Sequence, residues 1–182
     1  MEPIIWQALK WPATEYFTLQ DKDHHKLATG NINGYLREQP FCIRYEIEIT
    51  PEWKVSSFLI QLEGPQPAAL KLTSDLNGHW FDKEGNHVDA FDDCIDIDIS
   101  LTPFTNTLPI RRLQFETGER KALDMLYIQL PEFELQKVQQ HYTLLPSGLY
   151  LYENTSTGFQ AELPMDKHGI MKDYPEIFSR IC

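Results

Sequence analysis

The sequence predicts a mainly β fold of antiparallel strands, with helix confined to one or two short pieces. Three observations predict it. Strictly alternating apolar and polar residues recur along the chain, turn chemistry separates one run from the next, and sustained three-to-four periodicity is scarce. The 12 prolines and 9 glycines are spread throughout, as many short strands with many turns require.

In "FCIRYEIEI" (41–49), Phe41, Ile43, Tyr45, Ile47 and Ile49 face one way, and Cys42, Arg44, Glu46 and Glu48 face the other. All nine residues fit a half-buried strand. "SFLIQLEG" (57–64) and "AALKLTSD" (68–75) follow, split by Pro65 and Pro67. Gly78 and Gly85 flank "HWFDKE" as a short hairpin. "CIDIDIS" (94–100) places Ile95, Ile97 and Ile99 on one face and Cys94, Asp96 and Asp98 on the other. Further strands are "ALDMLYIQL" (122–130), "GLYLYEN" (148–154), "FQAELPM" (159–165) and "GIMKDY" (169–174).

Two segments compete for helix. "EFELQKVQQHYTLL" (132–145) fits a helix through Leu135, Val138, Tyr142 and Leu145, and equally a strand with Gln136, Val138, Gln140 and Tyr142 on one face. "TPFTNTLPIRRL" (102–113) restricts the helix start through its prolines. With Thr107 as N-cap, Pro109 falls in the first turn, where a missing N–H is harmless. The expected helix runs from about Leu108 to Gln114, with Arg111 and Arg112 near its C-terminal half.

Length and charge bound the function. A chain of 182 residues is read as one domain, 1–182, with no shift in composition to mark a linker. At this size roughly 70% of the unfolded surface is buried, so the core needs no staples. A net charge of −11 gives no footprint for nucleic acid or acidic lipid surfaces, and favours neutral or cationic partners. No window of 18 apolar residues predicts a membrane span, and the N-terminus lacks the form of a signal peptide. Three widely spaced cysteines are not a disulfide framework, so the expected compartment is the reducing cytoplasm.

The chemical motifs are few. The six histidines lack metal-ligand spacing, and "DKEGNHVDAFDD" (82–93) lacks the order of a calcium loop, so no metal is expected. No nucleophile elbow and no phosphate loop is present, and no residue is assigned as catalytic. No cofactor is expected. Asp96 and Asp98 stand about 7 Å apart on one strand face. That pair admits three readings: an ion pair with Arg111 or Arg112, a solvated face, or acid–base work on a glycoside. Adjacent arginines on a helix diverge by about 100°, so Arg111 and Arg112 cannot both serve one site directly. Tyr127, Tyr142, Tyr150 and Tyr152 cluster in the C-terminal third, either as sheet packing or as rings lining a groove.

The run "DCIDIDISLTPFTNTLPIRRL" (93–113) resembles the most recognisable block of the putative glycolipid-binding protein family, a domain of unknown function. "YEIEITPEWKV" (45–55), "QHYTLL" (140–145), "GLYLYEN" (148–154) and "FQAELPMDKHGIMKDYPEIFSRI" (159–181) agree in order, so the resemblance covers nearly the whole chain. One departure is Lys54 after Trp53, where the family pattern prefers Arg. The resemblance implies a spiral β-roll: a long, highly curved antiparallel sheet wrapped around a single α-helix, in a homodimer. It brings no catalytic residues.

The resulting expectation is a protein that holds a glycolipid or other amphipathic small molecule in the roll. Asp96, Asp98, Thr105, Asn106, Arg111 and Arg112 are the candidate polar contacts, and Tyr142 and Tyr150 the packing surfaces. The alternatives are an enzyme acting on a small sugar or lipid-like substrate through Asp96 and Asp98, and an interaction module without a small ligand.

Overall fold

Alternation decides which residues pair and which face they bury. In the computed structural model, which describes residues 1–182, the strands are β1 (Ile4–Ala8), β2 (Ala13–Asp21), β3 (Lys26–Leu36), β4 (Gln39–Ile49), β5 (Val55–Glu63), β6 (Ala68–Ser74), β7 (Trp80–Phe81) and β8 (Asp96–Ile99). A single α-helix, α1 (Thr107–Arg112), follows, and then β9 (Arg120–Gln129), β10 (Glu134–Leu144), β11 (Tyr150–Asn154), β12 (Gln160–Leu163) and β13 (Phe178–Arg180). Eight strands form an antiparallel sheet in the order β13-β1-β2-β3-β4-β5-β6-β7. Five form a second sheet, β12-β11-β10-β9-β8.

The chain joins these sheets at both sides. Residues 82–95 carry the β7 edge into β8, and residues 164–177 carry β12 into β13. The result is a long curved sheet wrapped around one short helix, not a closed barrel. One pair departs from the antiparallel rule: β8 and β9 are parallel, with Asp96 opposite Met125 and Ile99 opposite Ile128. Parallel neighbours need a crossover of a dozen or more residues. Residues 100–119 supply it, and α1 lies within it.

The inner face of β4 is the apolar set, with Phe41, Ile43, Tyr45, Ile47 and Ile49 at most 7% exposed. In β2 the inward residues are Ala13, Glu15, Phe17 and Leu19, so a carboxylate occupies an apolar phase. The β3–β4 hairpin turns at Arg37 (φ 50°) and Glu38 (φ 65°), both left-handed as a type I′ turn demands. Segment 132–145 is a strand: β10 pairs with β9 on one side and β11 on the other, burying Val138, Gln140 and Tyr142.

The helix corrects the expected start and end. Phe104–Asn106 forms a 3-10 turn that runs directly into α1, so Thr107 is itself helical at φ −64°, ψ −33° and caps nothing. Its Oγ1 instead accepts the Met171 N–H at 3.1 Å, which ties the helix to the C-terminal segment. The helix stops at Arg112 because Leu113 turns extended, with its N–H on Pro109 O at 3.0 Å. Thr107, Leu108 and Ile110 are at most 6% exposed, and Pro109 is buried with them. Phe104 stacks 4.5 Å from Phe17 of β2, which in turn lies 5.2 Å from Trp6 of β1. Each such buried ring or aliphatic chain contributes roughly 1.5–3 kcal/mol. Both sheets and the helix share one buried apolar cluster.

Candidate functional site

Asp96 and Asp98 leave β8 toward the side that alternation marks as polar, yet that side is covered. Asp96 is 1% exposed and Asp98 is 9%. A solvated face is therefore overturned. The cover is α1 for Asp96 and β10 for Asp98, and the two carboxylates have separate partners.

Asp96 is clamped by Arg112. Nε lies 3.1 Å from Oδ1 and Nη2 lies 2.6 Å from Oδ2, a bidentate fork. Burial pushes the Asp96 carboxyl up, while the Arg112 contact and the nearby Lys54 charge pull it down. Lys54 itself donates to Leu76 O at 2.8 Å. Arg111 does not join the acidic pair. It points away, its guanidinium 4.8 Å above the Trp53 ring and against the backbone of Gly169. Trp53 holds a left-handed backbone (φ 65°) beneath it.

Asp98 has no cation. Its Oδ1 accepts Thr105 Oγ1–H at 3.1 Å and its Oδ2 accepts Gln140 Nε2–H at 2.6 Å. Thr105 Oγ1 also accepts the Ile99 N–H at 3.2 Å, so the 3-10 turn is pinned back onto the strand it left. Burial drives the Asp98 carboxyl up, and the bonds from Gln140 and Thr105 only partly oppose it. Tyr142 Oη donates to Asn106 Oδ1 at 2.9 Å, with Gln140 Oε1 at 3.2 Å. That orients the Asn106 amide, whose Nδ2 reaches only Pro103 O, at 3.5 Å.

Asp98 and Asn106 line a recess of about 200 Å³ at the seam between the small sheet and the C-terminal segment. Ser100, Thr102, Asn154 and Thr157 complete its polar lining. Tyr127, Tyr152, Phe159, Tyr174, Ile177 and Phe178 form much of the rest. The rings of Tyr152, Phe159 and Tyr174 pack on one another, with centroids 6.0 to 6.2 Å apart. Burial raises the phenols of Tyr127, Tyr152 and Tyr174, and the Asp98 charge adds to the rise, so they stay neutral donors. A larger groove of about 900 Å³ lies elsewhere, open and polar, between Asp21 and residues 165–180. None of the predicted site residues lines it.

Thr102 connects the recess to a second buried group. Its Oγ1 donates to Glu15 Oε1 at 2.9 Å, and Tyr45 Oη donates to the same oxygen. Glu15 Oε2 has no hydrogen-bond partner. Burial pushes Glu15 up to about 8, against the lowering effect of those two bonds. Gly30 makes the arrangement possible: a Cβ there would sit 2.1 Å from Tyr45 Cε1 and 2.7 Å from Glu15 Oε1.

Of the predicted site residues, the fold brings together Asp98, Thr105, Asn106 and Tyr142. Asp96 and Arg112 form their own pair, Arg111 packs on Trp53, and Tyr150 meets Phe115 edge-to-face at 5.4 Å. Gln140, Glu15, Thr102, Asn154, Thr157, Phe159 and Tyr174 were not foreseen at the site. Gln140 and Glu15 carried a readable signal, since each is polar in the buried phase of its strand.

A family model described as putative glycolipid-binding matches residues 3–180. The chain belongs to this family. Among solved structures, a DUF1089 family protein from Pseudomonas aeruginosa is similar to it at 34% identity. The two superpose with a TM-score of 0.84, and the match covers 92% of each chain. No curated protein matches the chain. The fold of the chain is the one the resemblance implied, a long curved sheet around one short helix, and no helix in it is long and apolar enough to cross a membrane.

Proposed function

We propose that this protein binds an amphipathic small molecule, a glycolipid or other lipid. The observation that carries this reading is the seam recess, where a fixed carboxylate and amide (Asp98, Asn106) face aromatic and aliphatic side chains across one small space. Binding sites combine a largely apolar wall with a few convergent polar groups. The polar head occupies the Asp98–Asn106 end. The tail lies outward past Phe159, Ile177 and Phe178, because about 200 Å³ does not enclose an acyl chain. The family description points the same way.

Paired-carboxylate chemistry draws no support from this arrangement, because Asp96 is committed to Arg112 while Asp98 alone faces the recess. We place the protein in the cytoplasm, on its free thiols, and as a homodimer, on the family resemblance. Light scattering on the purified protein tests the dimer. Native mass spectrometry before and after solvent extraction tests the ligand, with melting temperature read against a lipid panel. A co-purifying lipid, or a panel member that raises the melting temperature, is the expected result. A protein that is always empty and that no lipid stabilises would sink the proposal.

A further inference from the structure

The recess is small and its lining is one-sided in charge, which narrows the head group it accepts. We infer that the head is a single uncharged sugar ring, the hexose of a monoglycosyl lipid, and that phosphate, sulfate and acidic-sugar heads are refused. The inference rests on the lipid-binding reading above and names the ligand class of that same site.

Size comes first. The recess of about 200 Å³ falls below the roughly 300–1,000 Å³ of pockets that take drug-sized ligands. It equals the liquid share of about seven waters at ~30 Å³ each, which is the scale of one pyranose ring and too little for two.

Charge comes second. No lysine, arginine or histidine lines the recess, and Asp98 is its one carboxylate. Three arginines outside that lining are held by other partners: Arg112 by Asp96, Arg180 by Asp166 and Arg111 by the Trp53 face. An anionic head would be desolvated beside a carboxylate with no cation to meet it, a cost that uncharged hydroxyls avoid. The chain's net charge of −11 adds the same repulsion at long range.

A cationic head is the other candidate, and the aromatic geometry disfavours it. Ammonium recognition places a cation over exposed ring faces, within about 6 Å of the centroids. Here Tyr152, Phe159 and Tyr174 are already packed on each other at 6.0 to 6.2 Å, so no box remains between them. What they offer is an outer apolar wall, against which the C–H face of a sugar lies.

Hydrogen bonding fits a polyol. Thr105 and Gln140 fix Asp98 while using one acceptor site on each oxygen, which leaves lone pairs for hydroxyl donors. Tyr142 fixes the Asn106 amide from its carbonyl side, leaving Nδ2–H to donate. Adjacent sugar hydroxyls both donate and accept, and so answer both groups at once.

Titration calorimetry below micelle concentration tests the inference with n-octyl β-D-glucoside, n-octyl β-D-maltoside, octyl phosphate, octyltrimethylammonium and free glucose. The glucoside is expected to bind about tenfold or more tighter than the phosphate and the ammonium, and the maltoside no tighter than the glucoside. Asn106→Ala should abolish glucoside binding. Because Asn106 is buried and its loss can unfold the turn, Thr157→Lys at the exposed rim provides a second variant. It should narrow the glucoside-over-phosphate preference about tenfold. Phosphate or ammonium binding at least as tightly as the glucoside overturns the inference and leaves the lipid reading standing. A maltoside that binds markedly tighter overturns the single-ring limit. Glucose binding as well as the glucoside keeps the sugar site and removes the lipid. No binding by any probe removes both.

Discussion

Arg112 holds Asp96 through two nitrogens across sixteen residues of chain, with the carboxylate 1% exposed and the arginine side chain 13% exposed. The pair closes the crossover between the parallel strands β8 and β9: Asp96 opens the first strand and Arg112 ends the helix that leads back to the second. Removing one partner leaves the other charge buried. Arg112→Leu alone should therefore lower stability by about 3–5 kcal/mol in urea unfolding, while Arg112→Leu with Asp96→Leu should recover most of the loss. A single variant within 1 kcal/mol of wild type, roughly the scale of an exposed pair, would contradict a buried clamp.

Glu15 sets a pH dependence of definite sign. Its native value of about 8 lies above the ordinary 4.5, so the folded chain binds the extra proton and stability falls as pH rises through that window. Below it the group is neutral in both states and adds no pH-dependent cost. Above it the ionised form is carried in the core. Glu15→Gln should flatten the curve, with wild type losing roughly 3–5 kcal/mol relative to the variant from pH 4.5 to 8. Parallel stability–pH curves for the two proteins would refute the assignment.

Gly30→Ala probes the same cluster by volume. The new methyl meets the Tyr45 ring at 2.1 Å, and Tyr45 cannot retreat without releasing Glu15. The expected loss is at least the 1–3 kcal/mol, roughly, of core overpacking. Gly30→Ala with Tyr45→Phe should be no better, because the clash is with ring carbons and not the hydroxyl. Rescue by that second change would show that the hydroxyl, and not the ring, sets the limit.

The cysteines should separate by reactivity. Cys182 is exposed, Cys42 is half-buried, and Cys94 is buried with its thiol pushed up to about 12 by desolvation. An aromatic disulfide reagent at pH 8 should titrate Cys182 first and Cys42 more slowly. Cys94 should react only in denaturant. Fast reaction of three thiols in the native protein would place Cys94 at the surface.

Much of the fold is written in local pattern, and the site is not. Residues 41–49 read correctly because a strand with one buried face repeats that face every second residue. The hairpin before them carries no such mark: Arg37 and Glu38 take left-handed backbone without Gly or Asn, so neighbouring strands, not turn propensity, impose the bend. Alternation placed Asp96 and Asp98 on one face but says nothing about what covers it. The cover arrives from Arg112 and from Gln140, the latter forty-two residues beyond Asp98. Thr107 has the residue type of a cap, and a 3-10 turn upstream took that role from it. Such long-range contacts leave no trace in a window of ten residues.

The pairing of β1 with β13 sets Trp6 opposite Arg180, and the Ile181 N–H bonds Ile5 O at 2.7 Å. In space the first and last strands of the fold are therefore neighbours at one sheet edge. A short linker joining β13 to β1, with new ends opened in the exposed stretch 64–67, is expected to keep every strand pair in the rearranged chain. The order in which strands leave the ribosome is thus separable from the order in which they lie side by side.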